Sequence, residues 1–189
     1  MMRLACADLL PFEYLDFSSE VSKYVTEIKR EVEVERNRAL EQNREIEEGV
    51  FLAVEDPRRP TVLPKAERIP PDLDFAPLER ACLSLARNAR EFEDAFGHAT
   101  EKSAAAANDR IFGLERLLLS PEGLPGRPWF KNQIYAPGFY TGYGVKTLPA
   151  VREAIEQKNW KLAAAQIPAV AKVLERAADG IAQAAAVLK

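Results

Sequence analysis

Residues 138–147 read GFYTGYGVKT: three glycines, three aromatic rings and a lysine directly followed by a threonine. Glycine-rich backbone ending in Lys-Thr suggests phosphate cradling, in which amide N–H groups and an ammonium surround the anion. The spacing rejects that chemistry. Val145 separates Gly144 from Lys146, whereas a phosphate loop of the Walker type needs glycine immediately before lysine, between a strand and a helix. No strand is expected ahead of the stretch, and Pro149 follows within three residues of Lys146. The dinucleotide fingerprint Gly-x-Gly-x-x-Gly fails for want of its third glycine. Other reactive constellations are no better supplied. His98 is the only histidine, so a His-based zinc site or a two-histidine mechanism cannot be assembled from this chain alone. It follows Phe92 and Phe96 at an expected helix end, where a solvated histidine suits the dipole. Cys6 and Cys82 are too few and too distant for a disulfide framework or a zinc motif. The acids of residues 27–48 are interleaved with arginine and lysine and lack a calcium loop, so they read as a solvated helix face. With no Gly-x-Ser-x-Gly elbow and no Cys-His pair, no catalytic residue and no metal ligand is assigned.

The elements that would position the 138–147 stretch are helical. The chain has 189 residues, 47% hydrophobic and 29% charged, with a net charge of −3, which suits one folded domain or a domain with an appendage. There is no basic excess to neutralise a phosphate backbone, which argues against nucleic acid as a partner. Neither an apolar run of about 20 residues for a membrane span nor a signal peptide is present. A long helix is expected from an N-cap at Ser18 or Ser19 to a stop at Gly49, with Val21, Tyr24, Val25, Ile28, Val32 and Ala39 on one stripe. Its second half is poor in apolar residues and should project or lie on the surface. Residues 45–74 read as an irregular insertion: the part from 50 on holds five prolines and a short apolar patch, Val50 to Val54, suited to the body's surface or a brief strand. Leu78, Cys82, Leu85, Ala89, Phe92 and Phe96 then mark a second helix whose seam buries Cys82 as an inert thiol. A third helix is expected over Ser103–Leu119, a short one from Pro149 to Gln157, and a last one from Asn159 to Leu188, kinked near Pro168. The fold class is therefore all-α: an antiparallel four-helix bundle with a long Gly/Pro/aromatic loop, residues 120–148, between the third and last long helices. Loops of that length in compact domains are more often functional than not.

The ordered set Asn108–Asp109, Leu114–Glu115–Arg116, Gly123–Leu124–Pro125, Arg127–Pro128 and Ile134–Tyr135–Ala136–Pro137 resembles the C-terminal helical dimerisation domain shared by the transferrin receptor and glutamate carboxypeptidase II. The likeness runs back to LACADLLPFEY, similar to the end of that family's zinc-peptidase domain, and forward through Pro149 and Trp160 to the alanine-rich last helix. The resemblance implies a tail of a preceding peptidase-like domain over 1–13 and a helical dimerisation domain over 14–189. Leu4, Leu9 and Leu10 would then form an orphaned apolar face. It implies a non-catalytic module of a zinc-dependent, carboxypeptidase- or aminopeptidase-like metallopeptidase. The partners implied are a second copy in a homodimer and the peptidase-like domain of the same parent chain. Zinc would reside in that absent domain, and the parent would work outside the cytoplasm. In the glutamate-specific members, the loop after Tyr-Ala-Pro carries a Lys-Tyr pair that senses the substrate's terminal glutamate. The matching positions here are Gly142 and Tyr143: the tyrosine is kept and the lysine is not, with Lys146 a substitute only if the loop curls back. Tyr143, Gly142 and Lys146 are thus the substrate-facing candidates. A free-standing helical adaptor that binds a partner helix in a groove is the alternative.

Overall fold

The computed structural model describes residues 9–53 and 64–189. Helix α1 spans Tyr14–Glu47, α2 is the single turn Val50–Ala53, α3 spans Ala76–Phe96 and α4 Glu101–Ile111. A 3-10 turn, Leu114–Leu118, follows, then strands β1 (Tyr135–Pro137) and β2 (Val145–Thr147), helix α5 (Pro149–Glu156) and helix α6 (Trp160–Leu188). The chain is mostly helical; the antiparallel ribbon of β1 and β2 is the exception, pairing Tyr135 with Thr147, Ala136 with Lys146 and Pro137 with Val145.

Helix α6 is the hub, packing on α3, α4, α5 and the 3-10 turn, while α1 packs chiefly on α3. Its sequence explains this. Ile167, Val170, Leu174, Ala178, Ile181, Ala185 and Leu188 form the expected stripe, and Ala163, Ala171, Ala177 and Ala184 are buried as well. Alanines flanking the large residues widen the apolar face without bulk, so several elements can approach at once. At Gly180 the approach is tightest: a Cβ there would lie 2.5 Å from Leu114 Cδ2 and from Leu117 Cδ1. Across the α3–α6 seam, buried Asn88 donates its Nδ2 to the Ala178 carbonyl at 2.8 Å. That bond satisfies an amide which would otherwise be costly to bury.

Several boundaries differ from expectation. Helix α1 starts at Tyr14 rather than after Ser18, whose buried hydroxyl donates to Leu15 O at 2.8 Å inside the helix. Tyr14 packs edge-on against Phe92 at 4.8 Å, so tertiary packing holds a first turn that lacks a side-chain cap. The irregular stretch expected from residue 45 begins later, because α1 continues to Glu47 and α2 follows; Val54 lies outside the described residues. The second half of α1 carries the returning connection. Asn43 Nδ2 donates to Glu67 O at 2.9 Å, and Glu67 N donates back to Asn43 Oδ1 at 2.8 Å. Leu9 is buried and Leu10 packs on the core, its N–H donating to Asn108 Oδ1 at 2.8 Å, so neither is orphaned; Leu4 lies outside the described residues. Asn108 sits in the last turn of α4.

The third helix also divides. It starts at Glu101, two residues before Ser103, behind a reciprocal capping box of Thr100 and Ser103, and it stops at Ile111. Gly113, a poor helix former, separates it from the 3-10 turn, which redirects Leu114 and Leu117 onto Gly180. Helix α6 is continuous through Pro168, from its N-cap Asn159, whose side chain accepts from Leu162 N. Among the described residues no helix is long and apolar enough to cross a membrane.

Two outcomes follow from this packing. Gly180→Ala drives a Cβ into the methyls of Leu114 and Leu117 and should lower stability by about 1–3 kcal/mol in urea denaturation. Cys82 is buried on the α3 seam, and burial pushes its thiol pKa up. It should resist alkylation until the chain unfolds, read by mass-spectrometric mapping that separates it from Cys6.

Candidate functional site

Residues 119–148 form a closed excursion between the 3-10 turn and α5, pinched at successive levels. Ser120 N donates to Lys131 O at 2.9 Å and Gln133 N to Leu118 O at 3.0 Å, which closes the base. Within it, Leu124 N donates to Phe130 O at 2.9 Å and Arg127 N to Leu124 O at 3.0 Å. This tight inner turn needs Gly123, with φ 69° and no room for a Cβ beside the Pro128 carbonyl, 2.2 Å away.

The inner turn exists to place one side chain. Arg127 is buried, and its Nη2 lies 2.5 Å from Glu153 Oε1 on α5, while Nη1 donates to the Pro137 carbonyl. The same Glu153 oxygen accepts from Phe139 N at 2.9 Å. The rings of Phe130 and Phe139 lie 5.2 and 5.5 Å from the guanidinium carbon, within cation–π range. One ion pair thereby ties the inner turn, the end of β1, the start of the tip and α5 to a common point. Its burial is what gives it weight: exposed pairs such as Arg44–Glu41 contribute little, whereas removing one partner of a buried pair strands a desolvated charge.

A second anchor holds the far side of the ribbon. Arg152 on α5 donates to Thr147 O at 3.1 Å and Thr147 Oγ1 at 2.9 Å, and reaches Glu27 at 3.0 Å and Glu31 on α1. Burial raises the Glu31 carboxyl pKa, with the Arg152 charge opposing. Tyr24 and Tyr135 join their hydroxyls at 3.2 Å, and burial followed by this bond pushes the Tyr135 phenol up to about 12. Between ribbon and helix, Leu148 is fully buried at φ 47°, a left-handed conformation that costs a leucine free energy. Its N–H donates to Ile134 O at 2.9 Å, and Pro149 then opens α5.

The ribbon displays residues 138–144 as an outward tip. Gly138 N donates to Gly144 O at 2.7 Å, which closes it. Tyr143 stands at 104% relative exposure, next to Gly142 at φ 61°. Lys146 does not join them: it lies in β2 opposite Ala136, with its ammonium bound to Glu156 of α5. A strand thus does precede the tip, contrary to expectation, yet the run after it is a second strand rather than a helix opening on the glycines. Arg127, Glu153 and Arg152 carry the geometry and were not among the sequence candidates. The signal for Arg127 was its place beside Pro128 in the recurrent motif; nothing local distinguishes Glu153 or Arg152 from other charged residues.

Residues 73–182, more than half of the chain, match the family described as the transferrin receptor-like dimerisation domain. The chain belongs to that family. A protein of Arabidopsis thaliana named as a probable glutamate carboxypeptidase is 27% identical over 93% of this chain, and one of Arthroderma benhamiae with the same name is 25% identical over 98%. A probable glutamate carboxypeptidase of Zea mays is 40% identical over 26% of the chain and 7% of its own length. The chain spans about one fifth of the length of the first two relatives, 22% and 21%. Among the described residues no group of three or more His, Cys, Asp or Glu side chains could hold a metal ion.

Arg127→Met in the dimerisation domain should cost about 3–5 kcal/mol in urea denaturation, and Arg127→Met with Glu153→Leu should recover part of it. Arg44→Ala should leave the midpoint in place. Equal midpoints for Arg127→Met and Arg44→Ala would show that the buried pair does not hold the loop.

Proposed function

We propose that this chain is the non-catalytic helical dimerisation domain of a glutamate carboxypeptidase II-like zinc peptidase. Its four long helices, α1, α3, α4 and α6, act as a bundle that brings two copies together. The family match supports this reading, and so does the surface left over once the core is filled. Phe12 and Phe112 remain 48% and 73% exposed, at a groove of about 510 Å³ floored by Ile111, Leu114, Ala177 and Ile181. Of the alanines on α6, Ala163, Ala184 and Ala185 are occupied inside the chain, leaving Ala164, Ala165 and Ala186 on the outside.

The 138–147 loop contributes to the substrate pocket of the catalytic domain of the same parent protein, with Tyr143 as the contacting side chain and Gly142 beside it. What supports this is the contrast between a rigidly clamped base and a fully presented ring. A loop that served only its own core would turn Tyr143 inward, as it does Ile134 and Ala136. Lys146, neutralised by Glu156, supports the ribbon instead of meeting substrate. Zinc and the bond-breaking groups belong to the catalytic domain.

Sedimentation equilibrium at micromolar concentration tests the assembly. A dimer mass that falls to monomer when Phe112 is replaced by Asp is the expected result, and a strict monomer before any substitution overturns self-association by this domain.

A further inference from the structure

The tip has an electrostatic character that narrows what it can receive. From Asn132 to Val145, fourteen consecutive residues include no acid, lysine, arginine or histidine. Phe139, Tyr140 and Tyr143 present exposed rings along that stretch, with Val145 exposed beside them. The cations that flank it are all occupied. Arg127 binds Glu153, Lys146 binds Glu156, and Arg152 binds both Glu27 and Glu31, so three cations meet four carboxylates. Lys131 is turned to the Pro121 carbonyl at the base of the excursion. A carboxylate brought to the tip would lose hydration and meet no uncommitted positive charge, an unfavourable exchange. An apolar or aromatic group would bury ring surface against Tyr143 and Tyr140, with a further gain from offset or edge-on ring geometry.

We infer that this tip selects a neutral, apolar or aromatic residue of a peptide over an acidic one. The inference rests on the substrate-facing reading of the loop and adds the class of side chain it receives. Tyr143 supplies the ring surface. At Gly142 a Cβ would meet nothing within 4 Å, so the space next to Tyr143 is open on this domain's side. Because Tyr143 is fully exposed, its substitution leaves the fold intact and reads out recognition alone.

The test uses the full-length protein that carries this domain and the dipeptides Ala-Glu, Ala-Leu and Ala-Phe, each also in reversed order. Wild type should show kcat/KM for the Leu and Phe peptides about tenfold or more above the Glu peptides, the scale on which pocket contacts discriminate. Tyr143→Ala should remove most of that preference through KM, Tyr143→Phe should restore it, and Tyr143→Lys should shift selectivity toward Glu. A wild-type preference for Glu together with KM changes in the Tyr143 variants overturns the neutral selectivity and leaves the loop substrate-facing. Unchanged kcat/KM for every peptide in all three variants overturns the substrate-facing loop and the inference with it. Failure of the full-length protein to cleave any of the six peptides overturns both.

Discussion

The buried contact between Arg127 and Glu153 is the constraint on which the outward part of this domain depends. Two charges taken out of water gain only if every remaining donor and lone pair finds a partner, and the chain arranges this nearly completely. Glu153 accepts from the guanidinium and from Phe139 N, Arg127 donates to Pro137 O, and two phenylalanine rings cover the guanidinium faces. Among the fully buried side-chain atoms of this cluster, Arg127 Nε is left without a partner. Such a cluster tolerates few alternative geometries, because any displacement of β1 or α5 exposes a bare charge to a dry interior. The tip is therefore set at a defined place relative to α5, and through α5 relative to the hub helix α6.

Helix α6 and helix α1 divide the remaining work by composition. Alanine-rich α6 buries surface in several directions and organises α3, α4, α5 and the 3-10 turn around itself. Charged α1 buries one stripe and uses its outer faces for polar attachments: Glu27 and Glu31 reach Arg152, and Asn43 holds the connection at Glu67. The ribbon is consequently gripped from both sides, by α5 through Arg127 and by α1 through Arg152 and Tyr24. Rigidity at the base with exposure at the end is the combination that lets a loop act on a surface beyond its own domain.

The long helices, their buried faces and their order were legible in the sequence because each depends on short-range periodicity, whereas the single helical turn Val50–Ala53 was not. The α3 seam from Leu78 to Phe92 and the α6 stripe from Ile167 to Leu188 are read directly from steps of three and four residues, and both are buried as expected. Ends were less legible. The start of α1 at Tyr14 depends on a ring contact with Phe92 across the core, and the break after Ile111 depends on leucines that must meet Gly180. Both contacts are long-range, although Gly113 also favours the break locally.

For the loop, proline, glycine and aromatic content announced a structured excursion, and the motif around Tyr135–Ala136–Pro137 located Tyr143 and Gly142 within it. The excursion itself was announced by residue type, since proline restricts the backbone and glycine opens conformations closed to other residues, whereas the positions of Tyr143 and Gly142 came from the family resemblance. Which charges neutralise one another was decided only in three dimensions. Arg127 and Glu153 are 26 positions apart and Arg152 and Glu31 are 121 apart, separations at which pairing leaves no periodic trace. The commitment of Lys146 to Glu156 likewise follows from the ribbon's register against α5, so the charge available at the tip is a property of the folded chain.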